Sequence, residues 1–527
     1  MLRKGAVLVA ALAAAWTHAQ FERQGVRLLS HIPVAALPGP PTYAAGSTGY
    51  VSPSGREYAI VTLSNGEAVV EITNPQSPTI LGRIPGVAAA AREVVTMGQY
   101  AYATADVSGY GMHIIDLSLV DLGIISLAAT YRGNSFCRAH TLQANPASQS
   151  IFLNATNIGR FVALDCSNPI APVQTGTWTT FLVHDSQVVT FTSGPYAGRE
   201  IAFLCCTSND LYIVDVTNRS NMVTLGNSAY LAGSNYCHSG QLTADGRYFL
   251  INDEFDESNS LVPSCATHIV DVTNLANPQA RGYFANGGSY VDHNSHLVGD
   301  FLYLGAYEGG LRVYDVSNPL AIVELGFFDT YPAGNAYSFN GAWGAFAGLP
   351  SGNVIVSDRQ NGLFILDPSE ALGEGAPLIG AQVIAGQHMA GGLRELRKED
   401  GLEFAGLWME NPKFEDTPVV SILVEAESNF SPAKQLDLFV KVRIDGATTG
   451  LGAVKALNRV TNKFDLLGTF GVATSPASWS TNGLSGPTYV SPTGRMLLEL
   501  DVYPGIEAEV GAYSVFVDQV KFTVHRT

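Results

Sequence analysis

The chain has few charged residues and, beyond its first residues, no long apolar runs. Charged residues make up 14% of its 527 residues, whereas about 25% is typical of globular proteins. Its 29 Lys and Arg are outnumbered by 46 Asp and Glu, which gives a net charge of −17. A surface of this sign repels phosphate backbones, so we expect no nucleic-acid partner. No later apolar run reaches the roughly 18 residues of a membrane span, so we expect no transmembrane anchor after processing.

Cysteine and complete catalytic motifs are also scarce. The six cysteines are scattered apart from the adjacent pair Cys205 and Cys206, and none has a C-x-x-C metal spacing. They are too few for a disulfide framework in a chain of this length. G-x-S-x-G, Walker and Rossmann patterns are missing too, so no motif assigns an enzyme class.

The N-terminus has the pattern of an export signal. Arg3 and Lys4 precede an apolar run from Gly5 to Ala15, and small residues lead to a cleavage position after Ala19. This pattern predicts a signal peptide over residues 1–19. We therefore expect a secreted protein, extracellular or periplasmic, whose partner is an extracellular ligand or surface component of unknown identity.

One phrase recurs along the chain: an apolar run, an acidic residue, an apolar residue, then Ser or Thr and often Asn and Pro. Its acidic residues are Glu71, Asp116, Asp165, Asp215, Asp271, Asp315 and Asp367, separated by 45, 49, 50, 56, 44 and 52 residues. Each unit contains short β-branched or aromatic runs with turn residues between them. Four strands at a period near fifty are typical of a propeller blade.

The sequence therefore predicts an all-β protein with two domains. After a signal peptide (1–19) and an N-terminal segment (20–42), a seven-bladed β-propeller spans residues 43–370. A linker (371–386) leads to a C-terminal β-sandwich, jelly-roll-like, over 387–527. The sandwich prediction rests on period-two alternation, as in Leu436, Leu438, Val440, Val442 and Ile444.

Histidine recurs at one position of the repeat. His140, His184, His238 and His293 precede the acidic residue of their own unit by 25, 31, 33 and 22 residues, with longer hairpins in the two middle units. The first strand of a blade lines the central channel, so these side chains are predicted to converge there. Two interpretations stay open. The imidazoles hold a divalent transition metal (Zn, Cu or Fe), or they hydrogen-bond to neighbouring blades and lock the ring.

Other polar and aromatic residues fall near the same register. The candidates for supporting the metal or binding a ligand are Arg92, Glu93, Asp185, Asp292, Asn340 and Trp343. The acidic run Asp253, Glu254, Asp256 and Glu257 follows a strand directly. It could supply further carboxylates or bind calcium, although its spacing is not that of an EF-hand.

The motifs resemble the choice-of-anchor B family of secreted LVIVD-repeat proteins over residues 50–368. The likeness rests on REYAIV, GMHIIDLS, AHTL, VHDSQ, GREI, YCHSGQLTADGRYFLINDEFDE, VDHNSHLVGDFLYLGAYEGGLRVYDVSNP, FDTYP, FNGAW and SGNVIVSDRQNGLFIL. The resemblance implies a secreted propeller with variable C-terminal modules and brings no established reaction. The chain has AAGSTGY where the family has a tryptophan-rich segment, and VKFTVHRT at its end without a sortase motif or an apolar, basic-tailed helix.

Three hypotheses of function follow. The first is a secreted or surface-associated binding and scaffold protein with a histidine-rich channel site. The alternative is a secreted metalloenzyme, a hydrolase or oxidoreductase, that uses the channel histidines. The third is adhesion through the C-terminal domain.

Overall fold

The computed structural model describes residues 21–208, 210–232, 236–373, 376, 378–385, 387–390, 396, 404–408, 420–428, 433–445, 449–504 and 513–525. The predicted signal peptide lies outside these residues. Within them, helix is limited to α1 (Gly486–Tyr489) and to 3-10 turns at Val34–Ala36, Val120–Leu122, Gly133–Ser135, Pro146–Ser148, Gly194–Tyr196 and Pro319–Ala321. None of these helices is long and apolar enough to cross a membrane.

The repeat region consists of short strands. They are β1 (Arg23–Gln24), β2 (Arg27–Ile32), β3 (Ala44–Val51), β4 (Glu57–Leu63), β5 (Gly66–Glu71), β6 (Thr79–Pro85), β7 (Arg92–Met97), β8 (Tyr100–Ala105), β9 (Met112–Asp116), β10 (Ser126–Tyr131), β11 (Thr141–Asn145), β12 (Ser150–Asn154), β13 (Phe161–Asp165), β14 (Val173–Trp178), β15 (Asp185–Thr190), β16 (Glu200–Cys205), β17 (Leu211–Asp215), β18 (Val223–Ser228), β19 (Cys237–Leu242), β20 (Tyr248–Asp253), β21 (Ala266–Asp271), β22 (Gln279–Ala285), β23 (Asn294–Val298), β24 (Phe301–Gly305), β25 (Leu311–Asp315), β26 (Val323–Phe328), β27 (Ala342–Phe346), β28 (Val354–Asp358) and β29 (Gly362–Asp367).

These strands form many four-stranded antiparallel sheets, which is consistent with a propeller. β3–β6, β7–β10, β11–β14, β15–β18 and β19–β22 each form one sheet. β23–β26 and β27–β29 continue the pattern, and a parallel bridge between Asn294 and Gly344 joins them into a nine-stranded sheet with β1 and β2. The first strands contact one another in series, β3, β7, β11, β15, β19, β23 and β27, and β27 contacts β3 again.

The recurring acidic residue has a local structural role. It is the last residue of the third strand in each of the seven repeats. In six repeats its carboxylate accepts a hydrogen bond from the backbone N–H two residues later, for example from Ser118 to Asp116 at 2.8 Å and from Ser317 to Asp315 at 2.8 Å. This is an Asx turn, which ends the strand and reverses the chain. The phrase recurs because each sheet needs the same turn.

The N-terminal segment is part of the sheets. β1 pairs with β26, and β2 pairs antiparallel with β29, with Arg27 opposite Asp367. β2 therefore supplies the fourth strand of the last sheet, which has only three strands from its own repeat. The predicted N-terminal segment (20–42) therefore contains two strands that pair with strands at the other end of the repeat region.

The core of the repeat region lies between neighbouring sheets. Second and third strands are almost fully buried, whereas fourth strands are only partly buried and one of them, β22, is mostly exposed. One hydrophobic cluster, for example, joins Val61 and Val70 of the first sheet to Ile355 and Ile365 of the last. Sheets packed face to face in this way bury both faces of their middle strands, which explains the continuous apolar runs in the repeats.

The C-terminal region forms two five-stranded sheets. Its strands are β30 (Leu378–Ala385), β31 (Gln387–Ala390), β32 (Phe404–Trp408), β33 (Val420–Glu427), β34 (Gln435–Asp445), β35 (Thr449–Asn458), β36 (Lys463–Ala473), β37 (Ala477–Ser485), β38 (Arg495–Pro504) and β39 (Tyr513–His525). The orders are β30-β33-β38-β35-β36 and β31-β32-β39-β34-β37. One hydrophobic cluster draws on both sheets, with Leu498 from one and Val440 from the other.

The linker predicted over 371–386 contains a strand. β30 pairs with β33, and Ala381 and Val383 pack against the hydrophobic cluster that the two sheets share. The alternation of these residues fits a half-buried edge strand. The Gly and Pro content of this stretch predicts a linker, because these residues occur in turns between strands as well as in linkers between domains.

Candidate functional site

The four predicted histidines lie side by side where the first strands begin. His140, His184 and His293 each immediately precede a first strand, and His238 is the second residue of β19. Neighbouring rings lie close, with centroid separations of 4.4 Å from His140 to His184, 4.1 Å from His184 to His238 and 4.3 Å from His238 to His293. The structure therefore brings the four together as one group, here called the histidine cluster.

Backbone carbonyls of the next sheet orient two of these rings. Nδ1 of His184 lies 3.1 Å from the carbonyl oxygen of His238, and Nδ1 of His293 lies 2.5 Å from that of Trp343. A carbonyl only accepts, so Nδ1 is the donor in both rings and Nε2 keeps its lone pair. Two of the four rings thus form the inter-sheet hydrogen bonds that the lock interpretation requires. Hydrogen bonds of this kind also commonly orient metal-ligating imidazoles, so the two roles are compatible.

A carboxylate, Glu254, completes the group. Its oxygens lie 4.0 Å from Nε2 of His238 and 3.7 Å from Nε2 of His293. Ligand atoms of His184, His238 and Glu254 all fall within 4.8 Å of one another. Two nitrogens or oxygens bound tetrahedrally to zinc at 2.0–2.2 Å would be about 3.4 Å apart. The donor types are those of a transition-metal site, and the 4.0 Å between Nε2 of His238 and Glu254 would have to shorten by about 0.6 Å on metal binding.

Glu254 was only one of four acidic candidates in the sequence, and its position in the hairpin explains its role. Glu254 directly follows β20, whose last residue, Asp253, lies opposite Cys237, and His238 lies at the irregular step of that pairing between Cys237 and Ser239. Asp106 and Arg359 occupy the same position after the second strands of their own sheets. A polar residue directly after a second strand is the signal that could have found Glu254.

Burial keeps most of the cluster neutral. Burial is the main cause that lowers the pKa of His293 to about 3. Burial, and then the neighbouring imidazoles, hold the pKa values of His184 and His238 well below the usual range. Neutral imidazoles are the form that binds a metal.

His140 differs from the other three histidines. Its side chain is 20% exposed, and Nδ1 lies 3.2 Å from a carboxylate oxygen of Asp106. Burial lowers the pKa of His140, but the hydrogen bond and charge of Asp106, with Glu93 and Glu254, outweigh it and leave the pKa raised. His140 is thus the edge of the cluster that meets solvent and holds a proton most readily.

Trp343 and Glu93 lie on the far side of His293. The Trp343 ring centroid is 4.8 Å from that of His293, and its indole N–H donates to Glu93 at 2.5 Å. Burial is the main cause that raises the pKa of Glu93 to about 7. A side chain at Gly46 would collide with the Glu93 carboxylate. Both residues therefore belong to the surroundings of the cluster.

The other predicted supporting residues are placed apart from the histidine rings. Arg92 is fully buried and pairs with Glu67 at 2.9 Å. Asn340 donates to Glu308 at 3.2 Å and accepts from Gln360 at 2.8 Å.

The two predicted aspartates accept hydrogen bonds between sheets. Asp185 accepts from Thr141 at 3.1 Å, and burial is the main cause that raises its pKa to about 6. Asp292 accepts from Asn252 at 2.8 Å.

Aromatic side chains lie beside the histidine cluster, with Tyr236 against His184 and Tyr307 against His293. Tyr307 donates its hydroxyl to Glu254 at 2.7 Å. Ring contacts then run from Tyr307 to Phe339 at 5.3 Å, from Phe339 to Phe255 at 5.7 Å and from Phe255 to Tyr236 at 4.8 Å. Phe339 is 39% exposed, so part of this aromatic rim faces solvent.

Fold and site together define a repeat protein of nearly all-β structure, consistent with a propeller, with histidines where its sheets meet. Residues 202–230 and 295–330 match the LVIVD repeat. The first match runs from β16 to β18, and the second from β23 to β26. The predicted LVIVD repeats are thus confirmed at two stretches. None of the curated proteins matches the chain.

Proposed function

We propose that the chain is a secreted binding and scaffold protein whose channel holds a transition metal. In this proposal the repeat region is a seven-bladed β-propeller of the choice-of-anchor B type, the C-terminal sheets are a β-sandwich, and residues 1–19 are a signal peptide. The observation that carries the metal site is the convergence of His184, His238 and Glu254 ligand atoms within 4.8 Å.

The donor set narrows the choice of metal. Two imidazoles and one carboxylate are found in catalytic zinc sites and in non-haem iron sites, and imidazole also suits copper. His293 lies close enough to Glu254, at 3.7 Å, to be a further ligand. The backbone carbonyls that accept from Nδ1 favour metal binding through Nε2, because they fix the rings in the required tautomer.

The binding role rests on the aromatic rim. Tyr236, Phe255, Tyr307 and Phe339 form a continuous series of ring contacts beside the metal ligands, and Phe339 is its exposed member. Arg359 adds a positive charge, because its guanidinium lies 5.3 Å from the Trp343 ring. Such a surface suits a ligand that joins an apolar body to an anionic metal-binding group.

A substitution at His184 tests whether its imidazole binds a metal or only hydrogen-bonds to the neighbouring sheet. The Asn amide nitrogen in His184→Asn stands close to where Nδ1 stood, so the hydrogen bond to the His238 carbonyl is kept while Nε2 is lost. We expect near-stoichiometric zinc, copper or iron in the purified wild type by elemental analysis. His184→Asn should keep its thermal midpoint but lose most of the metal.

His31→Gln is the control, because Nε2 of His31 on β2 also hydrogen-bonds to a backbone carbonyl, that of Asn361 at 2.6 Å, and the Gln amide nitrogen stands close to the Nε2 position. It should keep the metal. Wild-type protein that stays metal-free after incubation with each of the three ions would contradict the metal site. A His184→Asn variant that retains full metal would contradict the ligand assignment.

A metalloenzyme is the second candidate, favoured by the exposed edge at His140. Partial exposure gives a substrate access to the cluster, and Asp106 orients the His140 imidazole at 3.2 Å. His140 could then act as a general acid or base beside the metal ligands. This candidate is favoured if the protein catalyses a hydrolysis or an oxidation that requires the metal. The rate of that reaction should fall at least tenfold in His140→Gln, while the metal content stays unchanged.

A further inference from the structure

A second group of ligand-type side chains lies behind the histidine cluster. Asp256 and Glu257 follow β20, in the connection to β21, and Asp292 precedes β23 in the next sheet. Carboxylate oxygens from these three residues lie within 4.8 Å of one another. We refer to these residues as the acidic cluster.

The acidic cluster is buried. Asp256 and Asp292 are fully buried, and Glu257 is 2% exposed. Among the described residues, none of the three carboxylates forms an ion pair with Lys or Arg. The basic side chain closest to them is His268, whose Nε2 lies 2.6 Å from an Asp256 oxygen. Burial lowers the pKa of His268 to about 4, so the imidazole brings no charge near neutral pH.

Two carboxylate oxygens in this cluster have no protein partner. Asp292 accepts from Asn252 through Oδ2, which leaves Oδ1 without a hydrogen bond. Glu257 accepts from the Ala266 N–H through Oε1, which leaves Oε2 without one. Buried carboxylate oxygens without partners are costly, so an unpaired set of this kind points to a cation.

We propose that Asp256, Glu257 and Asp292 form a buried calcium site separate from the histidine cluster. Oxygen-only donors suit hard cations, whereas the imidazole-containing cluster suits a transition metal. Calcium accepts irregular arrangements of carboxylates, whereas magnesium prefers octahedral geometry and keeps several waters. A buried site whose donors are carboxylates therefore favours calcium.

The position of the site gives it a structural role. Asp256 and Glu257 belong to the fifth four-stranded sheet region, and Asp292 leads into the sixth. Asp292 is also adjacent to His293 in the chain. A cation held here would tie two sheets together and fix the backbone that carries one histidine of the cluster.

Calcium binding by the whole protein tests the proposal. After removal of metals with a chelator, we expect isothermal titration with calcium chloride to show one site per chain. Calcium should raise the thermal midpoint by several degrees. Glu257→Gln is the test variant, because it keeps the shape of the side chain and removes one of the three charges.

Glu257→Gln is expected to lose calcium binding without losing stability in the absence of calcium. In chelator, Glu257→Gln should be at least as stable as the wild type because like-charge repulsion is relieved, so it should fold. Its calcium affinity should fall at least tenfold, and the calcium-dependent rise in midpoint should disappear. Asp300→Asn, at an exposed carboxylate in the turn between β23 and β24, should behave as the wild type.

Three results would overturn the calcium site. The first is a wild type that shows neither heat nor a midpoint shift at 10 mM calcium, which would mean that the carboxyls are protonated instead. The second is full calcium binding by Glu257→Gln. The third is loss of calcium binding in His184→Asn, which would place the calcium ion in the histidine cluster. That result would refute the calcium site, whereas the proposed function is tested separately by the transition-metal content.

Discussion

We predict that Arg92 stabilises the fold and takes no part in metal binding. Its side chain is fully buried. The guanidinium pairs with Glu67 at 2.9 Å, donates to the Val87 carbonyl and lies 4.7 Å from the Tyr110 ring. Glu67 also accepts from Tyr110 at 2.5 Å and lies 3.0 Å from Nδ1 of His113. Arg92→Met removes one partner of a buried ion pair and leaves the other.

The expected loss follows from that burial. Removing one member of a buried ion pair costs about 3–5 kcal/mol, because the remaining charge is desolvated and unpaired. The Tyr110 hydroxyl and the His113 imidazole still face Glu67, so we expect the lower end, about 3 kcal/mol. The repeat region runs from Arg23 to Asp367, and in a region of that size such a loss corresponds to a fall in thermal midpoint of roughly 4 °C.

Differential scanning calorimetry with elemental analysis checks this prediction. Arg92→Met should lower the midpoint but keep the metal content of the wild type, since Arg92 does not reach the histidine rings. Adding Glu67→Gln should recover part of the loss, because the buried charge is then removed. Arg132→Met, at an exposed arginine bonded to backbone carbonyls, is the control and should shift the midpoint little. A midpoint unchanged within 2 °C in Arg92→Met, or loss of metal in the folded variant, would refute the reasoning.

Two further predictions concern pH and processing. The pKa of Glu93 is raised from 4.5 to about 7, so the folded state binds more protons than the unfolded state between these values, and the contribution of Glu93 to stability falls as pH rises. The free energy of unfolding of Glu93→Gln should therefore rise relative to that of the wild type between about pH 4.5 and 7. A difference that stays constant in urea titrations across that range would contradict this prediction. Mass spectrometry of the exported protein should find Gln20 as its first residue, whereas retention of residues 1–19 would argue against the signal peptide.

The strand pattern was predictable because its causes are local. The acidic residue of the repeat ends the third strand through a hydrogen bond to the backbone only two residues away, as with Asp215 and Thr217. A contact of such short range leaves its mark in the sequence of every repeat. The histidine register was predictable for the same reason, since the repeated strand fixes where each first strand begins.

The surroundings of the site depend on register between strands, which the sequence pattern does not determine. Arg92 is the first residue of β7, whereas His140 immediately precedes β11, so the two differ by one position. One residue reverses the direction of a side chain in a strand, and Arg92 therefore meets Glu67 instead of the histidine rings. Trp343, at an irregular position of β27 between Ala342 and Gly344, reaches His293, and Asn340 does not.

The pairing of β2 with β29 has a consequence for folding. Arg27 and Asp367 lie opposite each other although 340 residues separate them along the chain. The last sheet gains its fourth strand only when β2 meets β29, at the other end of the repeat region. Contacts of such long range along the chain form slowly during folding. During that time β29 has an unpaired edge, which is a site for pairing with other chains. Deleting residues 21–32 should therefore increase aggregation during refolding, whereas the histidine cluster should change little.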